Sequence, residues 1–331
     1  MSLAPRIVLV HRTTEYEELV AHHGTHGQAA FFLSSRGRDI EEVAERHRRT
    51  RRALTDVTSA IPLTWRQSRV ERGDLDRFLF APEDVVVVVG QDGLVANAAK
   101  YLTGQPVVGI DADPGRNPGV LVRHRPGDAA RLLPAALATG TGVDELTMVE
   151  AVADDTQRLL ALNEIYLGAA GHQTARYRLG VEGGGASTGD GGVMEGGGAS
   201  TGGAGVVEGG GALTSGAGVV EAQASSGVLV GTGTGATGWI RSVWQERGNP
   251  LPLPRPTEDR LVWCVREAWP SPTTGTSQVA GQLSATSHLT LTAESERLIA
   301  FGDGMEGDAL ELTWGQSVRV GVCGRRLRLV G

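Results

Sequence analysis

Five consecutive valines, Val85 to Val89, lie between Asp84 and Gly90. A β-branched run with no polar alternation suits an extended segment covered on both faces, the setting of an inner strand in a parallel sheet. It falls far short of the roughly twenty residues that a membrane-spanning helix needs. Glycine follows at once, then a helix-compatible stretch from Val95 to Tyr101 and another short strand from Pro106 to Ile110. Strand, helix, strand at this spacing is a βαβ unit. Ile7 to Val10 and Ile61 to Trp65 are predicted as further strands, and Asp39 to Thr55 as a helix. Residues 1–140 therefore read as an α/β domain with a Rossmann-like open sheet.

The remainder, 141–331, changes character. Helical signal runs from Val143 to Leu162. Short alternating stretches follow at Ala175 to Leu179, Val228 to Val230, Leu261 to Arg266, Leu289 to Thr292, Leu310 to Leu312 and Ser317 to Val322. Strands of this length between Gly, Pro and Ser turns predict a β-rich second domain.

Glycine, 48 of 331 residues, is about twice its ordinary share. Seventeen of these fall in three tandem thirteen-residue copies over 181–219: VEGGGASTGDGGV, MEGGGASTGGAGV and VEGGGALTSGAGV. Units this short, with few large apolar groups, bury too little surface to offset their ordering entropy, so the stretch is expected to be a flexible surface insertion. Net charge is −7, which argues against general binding to nucleic acid or to a membrane surface. The run Arg46, Arg48, Arg49, Arg51 and Arg52 lies near Glu41, Glu42 and Glu45, as on a solvated helix face. Lys100 is the only lysine. That excludes a Walker-type P-loop and leaves phosphates to backbone, metal or arginine. Cys264 and Cys323, inside strand-like runs, are expected as buried free thiols. The start of the chain lacks a signal-peptide layout, and a cytoplasmic location is expected.

Three segments carry chemistry. Gly90-Gln91-Asp92-Gly93-Leu94 follows the valine strand and precedes a helix, the place where open α/β folds bind ligands. Asp92 there can take a proton from a hydroxyl or help hold a metal; the same position also suits a helix cap. Asn163-Glu164 offers adjacent donor and acceptor groups for ribose hydroxyls and base edges, or simply a surface turn. Ser225 to Trp239 takes a hydrophobic strand through a loop of alternating glycine and threonine into a helix near Trp239. Small residues there let backbone approach a flat ligand, hydroxyls supply hydrogen bonds, and Trp239 adds an apolar plane.

Taken in order, these segments resemble the NAD kinase family: a GGDGT loop, an Asn-Glu pair, then a Gly/Thr-rich strand–loop–helix. The likeness is closest to the mitochondrial type and its bacterial relatives, which share T-T-x-Y-E (Thr13-Thr14-Glu15-Tyr16-Glu17), E-R-H (Glu45-Arg46-His47) and a segment like Gly109-Ile110-Asp111-Ala112-Asp113-Pro114. It extends over nearly the whole chain outside the repeats. The resemblance implies an NAD kinase-like fold with the active site between the two domains. It also implies transfer of a phosphoryl group from ATP to the 2′-hydroxyl of the adenosine ribose of NAD, with Mg²⁺, by a homodimer whose partners are small nucleotides. On the matching positions, Asp92 activates the hydroxyl, and Gly90 and Gly93 belong to the phosphate loop. Asn163 and Glu164 hold the NAD ribose and adenine side, Thr234, Thr237, Gly238 and Trp239 lie around the adenine, and Thr232 and Gly235 also belong to the cofactor-binding set.

The departures fall on the phosphate side: Gln91 replaces a glycine, Leu94 a threonine, and Asp111 the asparagine of the mitochondrial form. They keep two alternatives open, a related enzyme acting on another nucleoside or sugar-like molecule and a non-catalytic nucleotide-binding protein. Elsewhere, His22, His23 and His26 read as an exposed turn, and Asp303-Gly304 as a β-turn. Arg266-Glu267 lies in a stretch similar to the mitochondrial-type relatives, with no role that follows from its residues.

Overall fold

In the computed structural model, which describes residues 4–116, 119–138, 142–183, 219–248 and 251–331, the chain divides into two units: Met1–Leu146 with Arg325–Gly331, and Thr147–Gly324. The first begins with strand β1 (Arg6–His11), of which Ile7 to Val10 are fully buried. Helices α1 (Glu15–His23), α2 (His26–Ser34) and α3 (Ile40–Ser59) follow. A capping box starts α1: the Thr14 hydroxyl accepts from the Glu17 N–H, and the Glu17 carboxylate accepts from the Thr14 N–H. Asp39 caps α3 by accepting from the Glu41 N–H. The arginine run of α3 pairs with acids, Arg48 and Arg49 with Glu45, Arg46 with Glu15 and Arg51 with Glu17.

Next come β2 (Arg66–Glu71), β3 (Asp84–Gly90), α4 (Asp92–Ala99), β4 (Pro106–Asp111) and α5 (Ala129–Leu137). The sheet order is β2-β1-β3-β4, all parallel. The valine run is its centre: Val85 to Val88 have no solvent exposure and Val89 only 1%. Each buried valine contributes about 1.5–3 kcal/mol. The strand predicted at Ile61 to Trp65 is a turn instead, with Leu63 fully exposed. The strand lies just beyond, at β2, whose polar sequence RQSRVE disguises it because it forms the edge of the sheet.

The helix predicted from Val143 to Leu162 is a hairpin, β5 (Val143–Ala153) and β6 (Arg158–Ala161). Burial alternates towards the end of β5, and Thr156, with φ 74°, turns the chain inside Asp154-Asp155-Thr156. Leucine, glutamate and alanine suggested a helix, but the β-branched residues and the acidic turn prevail. The second unit continues with β7 (Glu164–Gly168), β8 (Ala175–Glu182), β9 (Val220–Ser225), β10 (Gly227–Gly231), α6 (Trp239–Glu246), β11 (Arg260–Arg266), β12 (Ala280–Ser284), β13 (His288–Ala293), β14 (Arg297–Gly302), β15 (Met305–Thr313) and β16 (Ser317–Val330). One antiparallel sheet runs β12-β11-β10-β7-β14-β15, and β16, β13, β8 and β9 lie side by side in another. Tyr177, Leu289, Leu291 and Val318 from the latter share a core with Ile165, Val228, Trp263 and Leu298 from the former. Cys264 and Cys323 are buried and form no disulfide, and burial raises the Cys264 thiol to about 11.

The end of β16 belongs to the first unit. Arg328 and Leu329 pair with Pro106 and Val107 of β4, and Val330 enters the valine core. The Val330 carbonyl lies 3.0 Å from His124 Nε2. No helix among the described residues is long and apolar enough to cross a membrane.

The repeats fall almost wholly outside the described residues, and so does the expectation of a flexible insertion. Val181 and Glu182 themselves belong to β8 and pair with Leu289 and His288. β8 and β9 are antiparallel neighbours, from Ala175 opposite Ser225 to Gly180 opposite Val220. A short Asn-Gly turn in place of residues 184–218 should therefore join them without loss. The expected thermal midpoint lies within about 4 °C of the parent; a larger fall, seen by calorimetry, would mean that the repeats stabilise the second unit.

Candidate functional site

In the first unit the chain leaves β1 for β2 on one side, then returns to β3 on the other. Open α/β sheets bind ligands off the carboxyl ends of their strands near such a reversal. The residues after β3 and β4 line a cleft of about 190 Å³ there, with walls including Gln91, Asp92, Gly93, Asp111, Asp113 and Gly119. Gln91 is exposed and occupies the N-cap of α4, without a capping hydrogen bond from its side chain. Asp92 is thus the first helical residue rather than the cap. Its Oδ1 accepts from the N–H groups of Leu121 (2.8 Å) and Val122 (2.9 Å), and its Oδ2 from Val120 (2.8 Å). Three of about four acceptor positions on the carboxylate are thereby filled.

Leu94 turns into the core, 6% exposed. Its Cδ2 would lie 3.0 Å from a Cβ at Gly90. Gly109 permits a closer approach still, since a Cβ there would meet the Leu121 carbonyl at 2.1 Å. Asp111 Oδ1 accepts from the Asp113 N–H (2.9 Å), and Asp113 meets Arg49 Nη1 at 2.6 Å. Among the described residues no three His, Cys, Asp or Glu side chains are grouped to hold a metal. His22 and His23 end α1, while His26 begins α2 beside the Tyr16 hydroxyl.

In the second unit the fold joins two of the three sequence segments. The Thr232 N–H donates to the Asn163 carbonyl (2.9 Å), and the Thr232 hydroxyl donates to Leu162 O (2.6 Å). The same hydroxyl accepts from the N–H groups of Thr234 and Gly235. A Cβ on Gly235 would lie 2.2 Å from Asn163 O, so only glycine fits. The Thr237 hydroxyl bonds back to Thr234 O, and Gly238 leads into α6. Thr234 is 2% exposed, and its Oγ1 has no hydrogen-bond partner. A buried hydroxyl without a partner costs about 1–3 kcal/mol, which a ligand at this position would recover. Trp239 stacks on Tyr166 with ring centres 5.8 Å apart, and the Arg266 guanidinium lies 5.4 Å from the Trp239 centroid.

Asp303 is the residue that sequence reasoning missed. With Gly304 it makes the expected turn, at φ 54° and 66°, between β14 and β15. Its carboxylate also collects the N–H groups of Leu162 (2.8 Å), Asn163 (2.8 Å) and Glu164 (3.3 Å). The Asp-Gly pair signals the turn; a bond reaching back some 140 residues has no local signal. Glu164 is raised to about 8, first by burial and then by the neighbouring charge of Asp303. Near neutral pH it therefore carries a proton and can donate a hydrogen bond.

The molecule thus combines an α/β unit carrying a strand–loop–helix cleft with a β-rich unit carrying a Gly/Thr loop. No family model and no curated protein matches the sequence. Among solved structures, that of yeast NADH kinase complexed with NADH is 14% identical with a TM-score of 0.56, over 99% of this chain and 84% of that one. An NAD kinase from Archaeoglobus fulgidus in complex with ATP is 16% identical with a TM-score of 0.54, over 98% and 93%. The chain has the fold of NAD kinases.

Two outcomes test the second unit's site. Asp303→Ala strands three amides and should lower unfolding free energy by about 3 kcal/mol in denaturant titrations. An unchanged midpoint would deny Asp303 that role. Because Glu164 titrates higher folded than unfolded, its contribution is complete below about 4.5 and disappears as pH rises through about 8. Glu164→Gln should accordingly flatten the decline in stability between pH 5 and pH 9, measured by the same titrations.

Proposed function

We propose that the chain is an NAD kinase-like phosphotransferase that moves the γ-phosphoryl group of ATP to the 2′-hydroxyl of the adenosine ribose of NAD. The observation that carries this reading is the Asn163-Glu164 turn, fixed by Asp303 against a Gly/Thr loop that keeps the Thr234 hydroxyl buried and unpartnered. The fold shared with NAD kinases supports it. In this reading Asn163 and Glu164 hold the ribose. Thr232, Thr234, Gly235, Thr237, Gly238 and Trp239 surround the adenine, while Gly90 and Gly93 let phosphates approach backbone. The motifs at Thr13 to Glu17 and Glu45 to His47 favour kinship with the mitochondrial type.

The bond that forms is ribose O2′ to the γ-phosphorus; the bond that breaks joins that phosphorus to the β–γ bridging oxygen, and ADP leaves. The proton of the 2′-hydroxyl passes to Asp92, at the acceptor position its three amide bonds leave open. Positioning and charge neutralisation dominate phosphoryl transfer, so one lysine is no obstacle. With no metal cage among the described residues, a Mg²⁺ ion would be held chiefly by the phosphates, with Asp111 or Asp113 at most assisting. It would supply charge neutralisation there.

A second reading, a related enzyme with another nucleoside or sugar-like acceptor or a non-catalytic nucleotide binder, is favoured by the side chain of Gln91 on the cleft wall and by the heavily bonded Asp92. Incubation with Mg-ATP and either NAD or NADH separates the two. NADP or NADPH should form, and Asp92→Asn should lower turnover by about 100-fold or more while NAD affinity stays within about threefold. Calorimetric binding of NAD without any phosphorylated product would sink the kinase reading and leave a nucleoside panel as the next assay.

A further inference from the structure

The cleft at the ends of β3 and β4 poses an electrostatic problem for a phosphate. Asp92, Asp111 and Asp113 all line it, and each repels an anion. Lysine offers no help: Lys100, the only one, is 5% exposed, at the far end of α4, and already engaged. Any side-chain cation that serves this cleft is then an arginine. Several arginines of the first unit have their guanidinium against a partner that does not line the cleft. Arg6 grips Asp84, Arg46 reaches Glu15, Arg51 reaches Glu17, Arg72 bonds Asn97, and Arg123 bonds Asp144. Arg48, one residue from Arg49, faces Glu45 and Glu41.

Arg49 differs. Its Nη1 lies 2.6 Å from Asp113 Oδ1, a carboxylate of the cleft wall, and its Nε lies 3.5 Å from Glu45. The side chain is half-exposed, whereas that of Asp113 is 13% exposed. The guanidinium is therefore held against a residue of the cleft wall by a partly exposed pair worth about 1 kcal/mol, which a polyanion can outbid. Its planar donors suit phosphate oxygens in pairs.

Resting on the kinase-like reading, the geometry points to Arg49 as the residue that binds the phosphate chain of a nucleoside triphosphate, transferring its guanidinium from Asp113 to the phosphate oxygens. Arg49 takes the charge-neutralising place that lysine cannot fill here, and it acts by binding, before any bond is made or broken.

Isothermal calorimetry on the full chain with inorganic tripolyphosphate and with adenosine tests this without requiring catalysis. Arg49→Ala should weaken tripolyphosphate binding by about tenfold or more, Arg49→Lys should restore part of it, and Arg48→Ala should change it by less than about twofold. Adenosine affinity should be the same in all four proteins. The inference is overturned if tripolyphosphate fails to bind the parent, if Arg49→Ala binds it equally well, or if Arg48→Ala is as damaging as Arg49→Ala. Equal losses for adenosine and tripolyphosphate would also overturn it, because they would mark a folding effect. Arg49-dependent tripolyphosphate binding in a chain that makes no NADP would sustain this inference and defeat the kinase reading alone.

Discussion

A carboxylate that gathers three successive backbone N–H groups recurs in both units, and each candidate site depends on one. Asp92 holds Val120, Leu121 and Val122; Asp303 holds Leu162, Asn163 and Glu164. Charge-assisted bonds of this kind are about twice as strong as neutral ones. Successive amides aimed at one point cannot be satisfied by a regular helix or sheet ladder, so the backbone there takes its shape from the aspartate. In the first unit that shape closes the cleft wall. In the second it presents Asn163 and Glu164 beside the Gly/Thr loop.

Burial around these anchors divides the acidic groups by role. Glu164, removed from water and close to Asp303, holds its proton to about 8 and becomes a donor. Acids on α1 and α3 stay at the surface, where they neutralise the arginine run. The arginines of α3 are thus largely paired with neighbouring acids.

Much of the fold was legible because burial writes itself into composition. The valine strand, the βαβ unit and the strands around Val228, Leu261 and Leu289 were readable as apolar runs between turn residues. Failure came where burial is partial or context overrides propensity. Edge strand β2 has a polar sequence, and the β5–β6 hairpin is made of residues that also suit a helix. The candidate site residues were visible as motifs, and the structure brings Asn163 to Thr232 and Gly235. The anchors were not visible. Asp92 carried no sign of the loop it holds 28 to 30 residues away, and Asp303 read only as a hairpin turn.

The parallel pairing of Arg328 and Leu329 with β4 has a consequence for biosynthesis. The first 146 residues emerge from the ribosome with Pro106 and Val107 of β4 unpaired on their outer side, although His124 already bonds Gly109 and Asp111, and with the place of Val330 in the valine core unfilled. At about 5–20 residues per second, the strand that closes that edge arrives roughly 10–40 s later. During that interval the unpaired end of β4 is open to pairing with a stranger, and the last strand removes that opening.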